Sequence, residues 1–148
     1  DSSTSRGLGD VYKRQGLFRN KAKSVYNLSK LLVEKHKSKV PNDFDKLFAL
    51  PGVGRKTANV VLNEGFGKPT IAVDTHIFRV SNRTGLAPGK GPDQVEQALY
   101  KVVPDKYLKE AHHLLLLHGR YTCKARTPNC KECVIIKHCK FKEKVMDL

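Results

Sequence analysis

The sequence has 148 residues, of which 39% are hydrophobic, and this suits one modest globular unit or two small subdomains. Lys and Arg number 28 against 14 Asp and Glu, which gives a formal net charge of +14 at pH 7. No apolar run is long enough to span a membrane, and no apolar signal segment follows the N-terminal charges, so we expect a cytoplasmic protein.

The excess of positive charge creates a field that concentrates polyanions, and nucleic acid is the commonest such partner of a basic domain. Aromatic residues make up 7% of the chain and Trp is absent, which disfavours an extended platform for stacking the bases of single strands. Double-stranded DNA is therefore the predicted partner. A protein that is basic only for solubility is the alternative.

Residues 1–15 show neither helical nor strand periodicity and are rich in Ser, Gly and charge, which predicts a disordered or non-homologous leader. Apolar residues then recur at helical spacing from Phe18 to about His36. Shorter helices are predicted at about 44–50, at 55–63, between Asp74 and the loop 85–91, at 93–103 and at 105–119. Only residues 70–73 could form a strand, so the fold class is predicted to be all-α.

A glycine turn precedes the third predicted helix. Gly52 and Gly54 carry no Cβ, which lets the backbone turn sharply and approach another molecule closely. The helix that follows presents free N–H groups and a positive dipole end, which together form an anion site. We therefore predict that Gly52, Val53, Gly54 and Arg55 contact DNA phosphates. An ordinary turn between two helices is the alternative.

An amine and a carboxylate, Lys56 and Asp74, each stand at the start of a predicted helix. A lysine nucleophile must be neutral, because an ammonium group has no lone pair. The positive end of its helix and partial burial would both disfavour the charged form of Lys56. Asp74 could accept a proton and stabilise positive charge on a sugar. Taken alone, Lys56 also suits phosphate binding, and Asp74 suits a helix cap.

Four cysteines, all in the last quarter of the chain, have the spacing C-x6-C-x2-C-x5-C. They are Cys123, Cys130, Cys133 and Cys139. Such crowding favours a metal or cluster site over scattered disulfides, but spacing alone suits zinc and a [4Fe-4S] cluster about equally. Lys124 and Arg126 lie in the loop between the first two cysteines, where they would face DNA phosphates or be solvated without a DNA contact.

Two segments and the cysteine spacing resemble the endonuclease III family of DNA glycosylases. LPGVGRKTANVVL, residues 50–62, is similar to the family's helix–hairpin–helix, and VDTHIFRVSNR, residues 73–83, is similar to its second signature. The cysteine spacing is similar to that of the family's iron–sulfur loop. The resemblance begins at about Gly16 and continues to the C-terminus.

The resemblance implies a helix-hairpin-helix DNA glycosylase fold of two helical subdomains. Residues 16–66 would be the remnant of a six-helix subdomain, and residues 67–148 would carry a C-terminal [4Fe-4S] cluster loop. It further implies a monomeric, nucleoid-associated DNA N-glycosylase and AP lyase that acts on double-stranded DNA with a damaged pyrimidine or an abasic site. Lys56 would be its catalytic amine and Asp74 its catalytic carboxylate, with the four cysteines as cluster ligands.

Three alternatives remain at this point. Adenine-mismatch glycosylases resemble the chain in the hairpin and the cysteines but carry a small residue where Lys56 stands, so Lys56 favours the lyase. The others are a strictly monofunctional glycosylase and a non-enzymatic DNA-binding module with structural zinc. The family has further helices upstream of the position that matches Gly16, so lesion choice is not predicted and the chain alone is expected to fold or act poorly.

Overall fold

The structure, a computed structural model, describes residues 8–147 and the side chains of residues 18–147. The helices are α1 (Leu8–His36), α2 (Phe44–Phe48), α3 (Arg55–Val60), α4 (Thr75–Thr84), α5 (Pro92–Val102) and α6 (Asp105–Tyr121). A π-helical turn, Val61–Gly65, continues α3, and a 3₁₀ turn, Ile136–His138, lies in the cysteine loop. No strand occurs within 8–147, which confirms the all-α prediction. None of the described helices is long and apolar enough to cross a membrane.

The first helix begins earlier than predicted. α1 starts at Leu8 rather than near Phe18, so the part of the expected leader from residue 8 onward is helical, while residues 1–7 lie outside the described residues. Residues 10–15 contain neither Gly nor Pro, and a nucleated helix gains one hydrogen bond for each residue added. The predicted end at His36 is confirmed.

The chain divides into two compact units, Asp1–Gly54 and Arg55–Leu148, and the predicted subdomain boundary near residue 66 stays a prediction. Hydrogen bonds join α3 and its π-helical turn to the segment that follows them in the C-terminal unit. Thr70 Oγ1 donates to Asn59 O at 2.7 Å, and Asn63 Nδ2 donates to Thr70 O at 2.8 Å. These bonds tie the helix that carries Lys56 to the C-terminal unit.

The core of the C-terminal unit is formed by six buried apolar side chains from α4, α5, α6, the segment before α4 and the loop between α4 and α5. They are Ile71, Ile77, Ala87, Val95, Leu99 and Leu108. α4 and α6 pack closely at Gly119, where an added Cβ would lie 2.9 Å from His76 Cβ and 3.0 Å from Val80 Cγ2. This close approach positions the start of α4, and hence Asp74, against α6.

Candidate active site and cysteine loop

The predicted glycine turn is present at the end of the N-terminal unit. Gly52 has a φ of +74°, and a Cβ there would lie 2.9 Å from Ser24 Cβ. The N–H of Val53 donates to Leu50 O at 3.1 Å and closes the turn. A Cβ on Gly54 would meet nothing within 4 Å, so this part of the backbone is open to another molecule. The DNA contact of the turn remains a prediction.

Lys56 lies in the first turn of α3, as predicted, and its side chain is exposed. The partial burial expected for this amine is therefore wrong for the free chain. α3 turns Ala58 and Asn59 inward, and the start of the helix faces solvent. Water reaches the amine until another molecule covers it.

Arg55, predicted as a DNA contact, forms an ion pair inside the C-terminal unit. Its Nη2 donates to Glu96 Oε1 at 3.1 Å and its Nε donates to Oε2, while Asn59 Nδ2 also donates to Oε1 at 3.1 Å. The Glu96 side chain is 5% exposed, and its hydrogen bond raises the pKa of Arg55. The pair links α3 to α5, and a phosphate contact by Arg55 remains a prediction.

Asp74 caps α4, which confirms the predicted helix start. Its Oδ1 accepts a hydrogen bond from the N–H of Ile77 at 2.8 Å, and its side chain is half-buried. Among the side chains of residues 18–147, none donates a hydrogen bond to Oδ2. One carboxylate oxygen therefore orients the side chain, and the other is available for chemistry.

The segment before Asp74 is irregular, and side chains from several helices bind its backbone. Asn63 Nδ2 donates to the carbonyl of Thr70. Tyr100 Oη accepts from Ile71 N–H at 3.1 Å, and His112 Nδ1 accepts from Ala72 N–H at 3.2 Å. These contacts hold the backbone that leads into Asp74 although it belongs to no helix or sheet.

Sequence reasoning missed these supporting residues. The available signals were polar residues on the inward faces of apolar helices: Asn59 and Asn63 beside Leu62, and Glu96 beside Val95. Such residues are buried only when they are hydrogen-bonded. The pattern could therefore have indicated that they have partners, but not which partners.

A buried imidazole lies within electrostatic range of both predicted catalytic groups. Burial lowers the pKa of His112, and the neighbouring His113 and Lys56 lower it further, while Asp74 and Glu64 oppose the shift. Lys56 and Asp74 thus have opposite electrostatic effects on the pKa of this ring, and both residues belong to the C-terminal unit.

The four cysteines line one cavity, which confirms that the fold brings them together. Its apolar lining includes Pro128, Ile135, Ile136 and Phe141. All four thiols are half-buried and free of disulfides. Within the described residues, no three His, Cys, Asp or Glu side chains converge tightly enough to hold a single metal ion.

Arginines on α4 bind the backbone of the cysteine loop. Arg79 Nε donates to Cys123 O at 3.0 Å, and Arg83 donates to the carbonyls of Lys124 and Ala125, both at 2.7 Å. α4 therefore has Asp74 at its start and holds the cysteine loop along its length. The Lys124 side chain is exposed, and its contact with a phosphate remains a prediction.

Arg126 and His76 lie in or beside the cysteine loop. Arg126 is exposed in the same loop, and its contact with a phosphate also remains a prediction. His76 Nδ1 lies 3.2 Å from Arg79 Nη2, so this imidazole contacts the arginine that holds the backbone of the cysteine loop.

Comparison with known proteins agrees with this geometry. Residues 4–105 match the family described as "HhH-GPD superfamily base excision DNA repair protein". The chain belongs to this superfamily. The match covers α1 to α5 and includes Gly52, Gly54, Lys56 and Asp74, but it ends before the cysteines.

Curated members of the superfamily are similar over nearly the whole chain. The sequence is 56% identical over 139 residues to endonuclease III of Escherichia coli strain K12, covering 94% of this chain and 66% of that protein. It is 55% identical over 135 residues to endonuclease III of Rickettsia felis, covering 91% of this chain and 63% of that protein. The chain thus spans slightly less than two thirds of the length of these relatives.

Solved structures show the same fold. A trapped covalent intermediate of endonuclease III with DNA has a TM-score of 0.79 and 45% identity, over 84% of this chain and 59% of that one. A thermostable thymine-DNA glycosylase has a TM-score of 0.72 and 26% identity over the same shares. Endonuclease III therefore shares both sequence and fold with this chain.

Proposed function

We propose that the protein carrying this chain is a bifunctional DNA N-glycosylase and AP lyase of base excision repair. Its substrate is double-stranded DNA with an oxidised pyrimidine or an abasic site. The observation that carries the proposal is that Lys56 lies exposed in the first turn of α3 and Asp74 caps the start of α4 within the same compact unit. The similarity to endonuclease III supports it.

The first chemical step uses Lys56 as the nucleophile. The damaged nucleotide is flipped out of the helix, which costs least for a base that stacks or pairs poorly. The neutral amine attacks C1′, a C1′–N bond forms, and the bond from C1′ to the base breaks with its electron pair leaving on the base. Asp74 Oδ2 accepts the amine proton or stabilises positive charge on the sugar during this step.

The second step breaks the strand. Opening of the sugar ring gives an imine between Lys56 and C1′, which withdraws electrons and acidifies the C2′ protons. Loss of one C2′ proton forms a C2′–C3′ double bond, and the 3′ C–O bond breaks with its electrons leaving on the phosphate. A base near the imine, for which Asp74 is the candidate, takes up the proton.

We further propose that Cys123, Cys130, Cys133 and Cys139 hold a [4Fe-4S] cluster. One zinc ion, with Zn–S bonds of about 2.3 Å, would draw its ligands to within about 4 Å of one another. The four thiols line one shared cavity, which supports a common ligand for all of them, and their spacing resembles that of the iron–sulfur loop in the endonuclease III family. When bound, the cluster supplies a cross-link that stiffens the loop carrying Lys124 and Arg126.

DNA binding would rest on phosphates rather than on bases. The net charge of +14, the open backbone at Gly54 and the exposed Lys124 and Arg126 all suit contacts that ignore base sequence. We propose that the protein acts as a monomer in the bacterial cytoplasm, at the nucleoid. The curated relatives are bacterial proteins, which supports this placement.

Borohydride trapping tests the central assignment. Borohydride reduces an imine to a stable amine, so the protein should become covalently attached to DNA that contains an abasic site. Lys56→Gln should abolish this attachment and retain DNA binding. Lys101→Gln, which removes the same charge from an exposed position on α5, should trap normally. If Lys56→Gln still traps, another amine is the nucleophile.

Asp74→Asn separates the carboxylate's chemistry from its role as a cap. Asn is also a good N-cap, so α4 should keep its start. Base release should slow by about 10²–10⁴-fold, the range typical of one general acid–base group. An unchanged rate of base release would remove Asp74 from the mechanism.

A further inference from the structure

α6 contacts both of the segments that carry the proposed catalytic groups. His113 Nε2 lies 3.3 Å from Glu64 Oε1, in the π-helical turn that continues the helix of Lys56. On the preceding residue of α6, His112 Nδ1 accepts the N–H of Ala72, which lies two positions before Asp74. The two histidine rings meet edge to face with their centroids 5.2 Å apart. Two adjacent residues of α6 thus contact the π-helical turn that follows Lys56 and the backbone that precedes Asp74.

The contact with Ala72 requires His112 to be neutral at Nδ1. The nitrogen that accepts a hydrogen bond carries no proton, so the proton of the neutral ring lies on Nε2. A protonated ring would place an N–H against the N–H of Ala72. His112 is 4% exposed and Ala72 is 1% exposed, so water cannot readily replace the lost bond. The charged and titratable groups around the ring are His113, Glu64, Lys56 and Asp74.

The position of Asp74 depends on this bond because few other contacts hold the backbone beside it. Tyr100 binds Ile71 N–H on one side, and the cap to Ile77 begins α4 on the other. Between these two anchors, the His112 side chain accepts the N–H of Ala72. If the bond is lost, the segment can shift and carry the carboxylate with it, and misplacement by about 1 Å can cost about 100-fold in rate.

We propose that His112 is a positioning residue for the reaction, and that its neutral ring fixes the backbone at Ala72 so that Asp74 reaches the amine of Lys56. The inference rests on the proposed function. A purely packing role would be served equally well by Leu, which has no acceptor. If His112 only packs, Leu should replace it well. If His112 positions the backbone by accepting a hydrogen bond, Asn should replace it better than Leu.

The test compares His112→Leu with His112→Asn in the cluster-loaded protein. Asn places an amide oxygen near the position of Nδ1, so it can still accept the N–H of Ala72, whereas Leu leaves that donor unpaired. Single-turnover base release from a duplex with a saturated pyrimidine should fall about 100-fold in His112→Leu and recover to within about tenfold of wild type in His112→Asn. KM should stay nearly constant.

Leu108→Ala controls for lost stability, because Leu108 lies in the same helix and in the core. At a temperature where circular dichroism shows every variant folded, this control should release the base at close to the wild-type rate. Amide exchange at Ala72 should be faster in His112→Leu alone. If Leu108→Ala slows base release as much as His112→Leu, the effect is general destabilisation and the positioning role is overturned.

The outcomes also separate this inference from the proposed function. If wild type traps on DNA and His112→Leu releases the base at the wild-type rate, the proposed function stands and the positioning role is overturned. If wild type does not trap, the proposed function fails, and the titration of the Asp74 carboxyl by NMR decides the inference. An Asp74 titration that is identical in wild type and His112→Leu would overturn it.

Discussion

The ring nitrogen Nδ1 of His112 lies 3.2 Å from the backbone nitrogen of Ala72 and accepts its hydrogen, although the two residues are forty positions apart. Both residues are buried. The bond joins α6 to the irregular segment that leads into Asp74, and it exists only while the imidazole is neutral. The stability of the C-terminal unit is therefore linked to pH through this ring.

We expect stability to fall as the pH drops below the ordinary pKa of histidine. Burial lowers the pKa of His112 below its usual 6.5, so the unfolded chain takes up a proton that the folded chain resists. The contribution is fully present above about pH 6.5 and is lost as the pH falls toward the lower folded pKa, by at most about 1.4 kcal/mol per pH unit.

Urea unfolding at pH 7.5 and pH 5.5 measures this effect. Wild type should lose more stability between the two pH values than His112→Asn, which has no titrating ring. Other groups titrate in both proteins and largely cancel in the difference. Equal losses in the two proteins would show that the ring is not held neutral by the fold.

The close packing of α4 on α6 predicts that Gly119→Ala is destabilising. The new Cβ would lie 2.9 Å from His76 Cβ and 3.1 Å from His76 O, so the two helices must separate. Overpacking of this kind costs about 1–3 kcal/mol. Gly65→Ala is the matched control, because a Cβ there meets nothing within 4 Å. The midpoint temperature of thermal unfolding should be clearly lower for Gly119→Ala than for both wild type and the control.

The open backbone at Gly54 predicts that Gly54→Asp weakens binding to every duplex alike. The side chain would block close approach and add a charge that phosphates repel. Gly91→Asp adds the same charge at the N-cap of α5, where Asp is favourable and space is open, and should bind nearly as wild type.

Titration at several salt concentrations checks the same interface. Affinity for undamaged duplex should fall by roughly 0.9 log units per log unit of salt for each phosphate contact, and the slope should be smaller for Gly54→Asp. If the affinity of wild type for duplex DNA does not change with salt concentration, the proposed phosphate contacts, including those of the glycine turn, are wrong.

The resemblance of the cysteine spacing to the family's iron–sulfur loop predicts that the four cysteines hold iron rather than zinc. Protein purified without oxygen should be brown, with broad visible absorption and about four irons per chain. Cys130→Ser should lower the iron content and destabilise the loop. His138→Ser, in the same loop but not among the predicted ligands, should retain the iron. Stoichiometric zinc without iron in native material would overturn the cluster.

Local chemistry determined much of what the sequence could predict. Helical periodicity located α2 to α6 within a few residues, because one face of each helix must be apolar. The short side chain of Asp74 in front of an apolar run predicted the N-cap, and the glycine at 52 predicted the turn. Each of these features depends on residues within a few positions of one another, so the pattern along the chain records them.

The tertiary structure alone decided which distant groups meet. The pairing of Arg55 with Glu96 and the bond from His112 to Ala72 each join residues about forty positions apart. Periodicity shows that a helix face is inward but not which partner it meets, and a buried polar residue signals only that some partner exists. Whether Lys56 is exposed likewise depends on how α3 packs. The sequence thus determined the elements and the reactive side chains, while packing between the elements decided what supports those side chains.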